Sequence, residues 1–244
     1  MRTSNPAFRE ATFRGAEAVA PAEAMTVGGA AAKTAILAIL LAGAAGYIWW
    51  SLANGSAAPI GTLILVGIVG GLVVALATIF VPRISPWTAP LYAVLEGVAL
   101  GAISWQMEVT YPGLPMLAVG LTLATLVGML ALYSTRIIRV TERVRAVLGA
   151  AVLGVMLFYV IAFALRLFGI PMPLIHDAGP FGIGFSVVVT GIAAFTLLLD
   201  FDAIERGAAM RAPRYFEWYT AFGLIVGLVW LYLELLRLLS KLRR

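Results

Sequence analysis

The sequence predicts an all-α integral membrane protein with seven transmembrane helices. Of its 244 residues, 62% are hydrophobic and only 12% are charged, a composition that water-soluble domains do not have. Seven apolar stretches long enough to cross a bilayer, about 20 residues each, follow residue 33. Cysteine is absent and there is one histidine, which excludes disulfides, thiolate catalysis and cysteine-based metal sites. We therefore expect neither an enzyme nor a bound cofactor.

The chain divides into an arm, residues 1–33, and a membrane domain, residues 34–244. The arm mixes acidic and basic residues and lacks the short apolar core and cleavage site of a secretory signal peptide. The first span is predicted from about Thr34 to Ala53, where aromatic residues suited to the membrane interface end it.

The next four spans are predicted at about Pro59 to Val81, Leu91 to Met107, Leu114 to Tyr133 and Ala146 to Phe168. Span two holds the close-packing motif Gly67-x-x-x-Gly71, and span three holds Glu96-Gly-x-x-x-Gly101. Glu96 is thus an acid several residues inside an apolar helix. It either takes part in function or only hydrogen-bonds Tyr92 or a neighbouring helix.

Span six is predicted from Phe181 to Leu199 and leads to Asp200, at the end of a line of small and hydroxyl side chains. A solvated acid at a helix end is the ordinary alternative for Asp200. The acids that follow, Asp202 and Glu205, are predicted to be solvated loop charges.

Span seven lies within residues 217–244 and carries Glu234 and Arg237. A carboxylate in hydrocarbon costs at least about 2.5 kcal/mol, so such a residue normally faces protein or water. At helical spacing Gly223, Gly227, Trp230, Glu234, Arg237 and Lys241 fall near one line. The helix is therefore expected to pack among others, with Glu234 facing inward. The simpler alternative for Glu234 is a structural ion pair with Arg237.

The basic residues predict the orientation of the chain in the membrane. Of 17 lysine and arginine residues, 12 lie in the arm and in loops two, four and six, whereas loops one, three and five hold only Arg166. The amino terminus is therefore expected in the cytoplasm, and the net charge of +5 does not indicate nucleic-acid binding. Seven full crossings put the basic end, residues 241–244, outside against the same rule. Either span seven crosses fully or it stops short.

Four motifs together resemble the transmembrane Bax-inhibitor-motif family, in particular its bacterial branch with an amino-terminal extension. They are Ser4-Asn-Pro-Ala-Phe8, Glu96-Gly-x-x-x-Gly101, Leu199-Asp200-Phe-Asp-Ala-Ile204 and Leu231-Tyr-Leu-Glu-Leu-Leu236. The resemblance covers roughly residues 34–244. It implies a seven-helix fold with the last helix at the centre of the other six. It also implies a bacterial plasma membrane, with which the Ala, Gly, Leu and Val bias is compatible.

The resemblance implies a pH-sensitive calcium leak channel in which Asp200 and Glu234 form a paired sensor. These two acids would bind calcium transiently, with Arg237 or Arg244 as their arginine partner. Glu96 is a candidate supporting acid because of its own position inside span three, not because of the resemblance. The family usually has Asp where Glu234 stands, and residues 59–81 contain no counterpart of the acid that the family has on span two.

Three functions from different classes remain open in the sequence. The preferred one is a cation leak channel, for calcium, in which two neighbouring carboxylates share a proton; its partners are calcium ions, protons and membrane lipid. The second is a proton-coupled secondary transporter, and the third is a membrane interaction protein that transports nothing. Contact between the two acids requires span six to continue as a helix to about Ile204, and the membrane part of span seven to begin nearer Ala221 than Glu217.

Overall fold

The computed structural model describes residues 23–55, 59–169 and 179–243. In this part of the chain there are seven α-helices that are long and apolar enough to cross a membrane. They are α1 (Val27–Ala53), α2 (Ile60–Phe80), α3 (Ser85–Thr110), α4 (Leu114–Ser134), α5 (Glu142–Leu167), α6 (Pro180–Ala209) and α7 (Phe216–Leu242). A 3-10 helix, Pro82–Ile84, joins α2 to α3. The predicted all-α fold with seven spans is confirmed.

The last helix, α7, is the centre of the bundle. Its buried side chains include Tyr219, Phe222 and Leu231, which lie on different sides of the helix. It packs against α1, α3, α4 and α6, while α2 packs mainly on α3 and α5 on α6. The outer helices expose large apolar side chains such as Leu65 of α2 and Leu157 of α5. A helix that is apolar on every side and enclosed by others belongs to the interior of a membrane bundle.

Glycines let three helices approach at the α1–α3 and α2–α3 interfaces. A Cβ atom at Gly97 would lie 2.5 Å from the carbonyl oxygen of Leu41 on α1, and one at Gly67 would lie 2.7 Å from that of Leu95. Because these neighbours are backbone atoms, they cannot move aside as a flexible side chain does. The close-packing role predicted for these glycines is confirmed.

Helix α1 begins at Val27, not near Thr34 as predicted, so the end of the predicted arm continues the first span. Thr26 caps the helix, because its side-chain oxygen accepts a hydrogen bond from the Gly29 N–H at 2.9 Å. The residues before it pair with the α6–α7 connection, where the Met25 N–H donates to the Ala212 carbonyl at 2.7 Å.

Helix α3 begins at Ser85, ahead of the predicted start at Leu91, and includes Pro86 and Pro90. Proline is well tolerated in the first turn of a helix, where its missing N–H has no partner to lose. Pro90 lies one turn further. Its missing N–H would have donated to the carbonyl of Pro86, so the hydrogen bond that is lost belongs to the start of the helix. The two prolines therefore belong to the start of the third span and do not separate it from the second.

Helix α6 continues past Asp200 to Ala209, which confirms the predicted extension to about Ile204. An ion pair between Asp202 and Arg206, one turn apart with Nε–Oδ2 at 2.8 Å, supports this added length.

The full length of α7 separates its two ends. Its first turn lies beside the start of α1, since Glu217 accepts hydrogen bonds from Thr26. Its last turn lies beside the α3–α4 loop, where Arg243 donates to the Pro112 carbonyl at 2.7 Å, and beside α6, where Lys241 donates to the Gly182 carbonyl at 2.8 Å. Helix α7 therefore runs from one end of the bundle to the other.

Candidate functional site

Glu234, the acid on α7, is buried and hydrogen-bonded by several donors. Its side chain is only 2% exposed. Arg237, one turn later, donates from Nη1 at 2.8 Å to each of the two carboxylate oxygens. The Trp230 indole donates to Oε1 at 3.1 Å, and the Tyr159 hydroxyl of α5 donates to the same oxygen at 2.9 Å. The charge of Glu234 is therefore compensated within the protein.

Arg237 joins these residues into one cluster, the Glu234 network, which consists of Glu234, Arg237, Tyr159 and Trp230. The Arg237 guanidinium lies over the Tyr159 ring, 5.1 Å from its centroid, and also donates to the Tyr159 hydroxyl at 2.5 Å. A cation over an aromatic face is attracted by the ring electrons. The network thus ties the outer helix α5 to the central helix α7. Arg244, the other candidate partner, lies outside the described residues.

Asp200 is equally buried, at 2% exposure, but its carboxylate is in a different environment. One oxygen, Oδ2, lies 2.9 Å from the position that a Cβ atom would take at Gly227 of α7. Among the described residues, no hydrogen bond or ion pair to this carboxylate is found. A buried charge without a partner is costly, and a bound proton or a bound cation would each remove that cost.

No direct bond joins the two predicted sensor acids: in the described part of the chain, neither Glu234 nor Arg237 makes a hydrogen bond or ion pair with Asp200. Asp200 is level with Gly227, and Glu234 follows seven residues later, about 10 Å along the helix axis. The long Glu234 side chain bonds to residues of its own helix and of α5. The two acids therefore occupy neighbouring levels of one core.

A third buried acid, Glu217, lies in the first turn of α7 at 2% exposure. Its Oε1 accepts from the Thr26 N–H at 3.0 Å and from the Thr26 hydroxyl at 3.1 Å, and its Oε2 lies 3.5 Å from Lys33 Nζ. Gly29 leaves room for this carboxylate, which a side chain there would overlap. Sequence reasoning treated Glu217 only as a helix boundary, because its partners on α1 are distant in sequence.

Glu96 of α3 is half-buried and lies apart from the other acids. Its carboxylate packs against Gly71 of α2, where a Cβ atom would lie 3.2 Å from Oε1. With Tyr92 it lines a cavity of about 280 Å³ between α2, α3 and α7. Tyr92 and Glu96 thus lie on one cavity, between the helix that carries them and its neighbours α2 and α7.

Asp202 and Glu205 are not the solvated loop charges that the sequence predicts, because α6 continues through them. Asp202 accepts from the buried Arg145 of α5 at 2.9 Å, and Glu205 pairs with Arg136 at 3.1 Å. The Tyr133 hydroxyl of α4 donates to Glu205 at 2.5 Å. These two acids therefore attach α4 and α5 to the end of α6.

The arrangement does not form a dedicated metal cage. In residues 23–55, 59–169 and 179–243 there is no group of three or more histidine, cysteine, aspartate or glutamate side chains that could hold a metal ion. Calcium takes six to eight oxygen ligands in stable sites.

Comparison with protein families decides what kind of protein carries this arrangement. The model of the family described as Bax inhibitor 1 like matches residues 5–244, nearly the whole chain. The chain belongs to this family. No curated protein and no solved structure matches it significantly.

In this member of the Bax inhibitor 1 like family, two of the four motifs lie on adjoining helices. The motif around Asp200 is on α6 and the motif around Glu234 is on α7, both within the matched range. Their acids differ in environment, one in the Glu234 network and the other against Gly227. The amino-terminal motif, Ser4 to Phe8, lies outside the described residues.

Proposed function

We propose that this protein is a pH-sensitive cation leak channel of the bacterial plasma membrane, with calcium as its ion and with its amino terminus in the cytoplasm. The observation that carries the proposal is the buried carboxylate of Asp200, which has no hydrogen-bond or ion-pair partner among the described residues. Intramembrane acids of this kind characteristically mark ion and proton pathways. Membership of the Bax inhibitor 1 like family is consistent with a channel or transporter.

The three acids of the core define the path that we propose. Glu217 lies at the start of α7, Asp200 lies level with Gly227, and Glu234 lies two turns further. The steps along the helix axis are about 15 Å and about 10 Å at a rise of about 1.5 Å per residue. Spaced oxygen sites of this type attract a cation without holding it, which is what conduction requires.

The two central acids have different roles in this mechanism. Asp200 binds either a proton or the permeating cation, so that protonation competes with cation binding at one carboxylate. The Glu234 network, with Arg237 as a fixed positive charge, closes the path beyond Asp200. Opening then requires Arg237 and Tyr159 to move away from Glu234, which exposes its carboxylate to the ion.

The experiment is calcium uptake into vesicles that contain the purified protein and a calcium-sensitive dye. We expect uptake that depends on pH and needs no imposed proton gradient, and we expect Asp200→Asn to reduce it strongly. Glu142→Gln is the matched control, because Glu142 is an acid whose side chain is 55% exposed at the start of α5. Uptake that requires a proton gradient would indicate a secondary transporter. Absence of uptake at every pH would indicate a protein that fixes packing or binds partners.

A further inference from the structure

A second and larger cavity, of about 660 Å³, lies between α1, α3, α4 and α7. Both α1 and α4 pack on the central helix α7, yet they make little contact with each other. Side chains of α4 on this side are exposed, among them Met116 at 75% and Leu123 at 55%. The cavity therefore opens sideways between α1 and α4, toward the hydrocarbon of the bilayer.

Three hydroxyl groups that line this cavity already have hydrogen-bond partners. The Ser104 and Tyr232 hydroxyls are hydrogen-bonded to each other at 2.6 Å, and the Thr122 hydroxyl donates to the Ala118 carbonyl at 2.8 Å. A buried water needs two to four polar partners to be stable. The remaining lining is mostly aliphatic, with Ala42 and Gly46 on α1 and Leu228 and Val229 on α7. An apolar chain fits this interior better than water does.

At the α3–α4 loop the cavity is lined by Glu108 and Gly113, and one basic residue, Arg243, contacts the same loop without lining the cavity. Both carboxylate oxygens of Glu108 accept from the Gly113 N–H, at 3.0 and 2.9 Å. Arg243 at the end of α7 donates to the carbonyl of Pro112, the preceding residue of the same loop. Glu108 and Arg243 thus bond to two consecutive residues, Gly113 and Pro112, of the loop at this end of the cavity.

We propose that this cavity binds a phospholipid with an ethanolamine headgroup and holds one of its acyl chains between α1 and α4. The zwitterionic headgroup carries an ammonium, which complements Glu108, and a phosphate, which complements the Arg243 guanidinium. An anionic lipid without an ammonium group has nothing to pair with Glu108, so its negative headgroup would be repelled by this carboxylate. The acyl chain fills a mostly aliphatic space in which the hydroxyl groups of Ser104, Tyr232 and Thr122 need no further partner.

The test is photocrosslinking in vesicles with a phosphatidylethanolamine that carries a photoreactive group in its acyl chain. Adducts are located by peptide mass spectrometry. We expect the yield of adducts at cavity residues of α1 and α4 to exceed the yield on the outer face of α2. Gly46→Phe fills the cavity without overlap, because no atom lies within 4 Å of a Cβ there. We expect it to reduce cavity adducts by about fivefold or more, since its ring takes the place of the chain.

The matched control is Gly43→Phe, on the same helix with equally open space but outside the cavity lining. It should leave the cavity adducts unchanged, and Ala42→Phe, a second filling variant, should behave like Gly46→Phe. Cavity adducts that persist in both filling variants, or that are absent from the unmodified chain, would overturn the site. A phosphatidylglycerol probe that labels the cavity equally well would overturn the headgroup assignment, as would labelling unaffected by Glu108→Gln and by Arg243→Gln.

Discussion

At the scale of single residues, Asp200 and Glu234 show two solutions for a carboxylate inside a membrane bundle. Glu234 is surrounded by donors from Arg237, Tyr159 and Trp230. Asp200 lies against the bare backbone of Gly227 and has no such donors in the described residues. A compensated charge stabilises the contact between helices, whereas an uncompensated one is available to a proton or a cation.

The compensation of the Glu234 charge is testable by removing the positive charge of Arg237. Arg237→Gln leaves a carboxylate of 2% exposure without a countercharge, so we expect a loss of about 2 kcal/mol, below the range for fully buried pairs because Arg237 is 34% exposed. Thermal unfolding in detergent measures the loss. The double variant Glu234→Gln with Arg237→Gln should recover part of it, because the unpaired charge is gone. A double variant no more stable than Arg237→Gln would show that Arg237 acts by packing alone.

How far the sequence predicts the site depends on how local each contact is. The pair of Glu234 and Arg237 follows from one helical turn and was among the expected alternatives. The environment of Glu217 was not predictable, because its partner Thr26 is 191 residues away in the chain. The predicted direct bond between Asp200 and Glu234 is not found, for a related reason. The level at which two helices meet depends on small residues such as Gly227, and the residue spacing within either helix does not determine it.

At the scale of helices, the α6–α7 contact depends on Gly227. A Cβ atom there would lie 2.9 Å from Asp200 Oδ2 and 3.5 Å from a methyl group of Leu197, so Gly227→Leu must push the two helices apart. We expect it to cost roughly 1–3 kcal/mol or more. Gly43→Leu, which meets open space on α1, is the control and should be nearly neutral. Equal thermal stability of the two variants in detergent would count against a tightly packed central α7.

The attachment of the outer helix α5 rests on Arg145, which is 8% exposed at its side chain and bonds to Asp202 at 2.9 Å. Asp202→Asn leaves Arg145 with only the exposed Glu142 as a countercharge, and we expect a cost of about 2 kcal/mol, or about 30-fold in the opening equilibrium. Hydrogen exchange in the first turns of α5 should rise accordingly. Glu205→Gln is the comparison, because Glu205 binds Arg136 and Tyr133 and not α5. Exchange in α5 that responds equally to both variants would refute this attachment.

The sequence predicts the helices themselves better than their ends. The length of the hydrophobic stretches predicted all seven spans. Helix α6 extends beyond Asp200 as predicted, although the bond between the acids from which this extension was inferred is not found in the described residues. The early starts of α1 and α3 were missed because they depend on a cap and on prolines at the helix start, which in sequence look like an arm and a loop.

At the scale of the whole molecule, the two ends of the chain are expected on opposite sides of the membrane. The start of α7 lies beside the start of α1, and its end lies beside the α3–α4 loop. Because the chain contains no cysteine, Thr3→Cys and Arg244→Cys each introduce a unique label site. An impermeant maleimide added to intact spheroplasts should modify Arg244→Cys, and should reach Thr3→Cys only after the membrane is permeabilised. Labelling of both from one side would show that α7 does not cross.

The central claim is that Asp200 is the residue at which protons act on flux, while Glu234 belongs to a separate closing network. It is tested most directly by the pH profile of calcium flux through vesicles that contain the unmodified chain, Asp200→Asn or Glu234→Gln. We predict that Asp200→Asn flattens the profile, because the carboxylate that binds the proton is gone. Glu234→Gln should change the size of the flux and leave its response to pH in place. An Asp200→Asn protein that keeps the pH profile of the unmodified chain would contradict this mechanism.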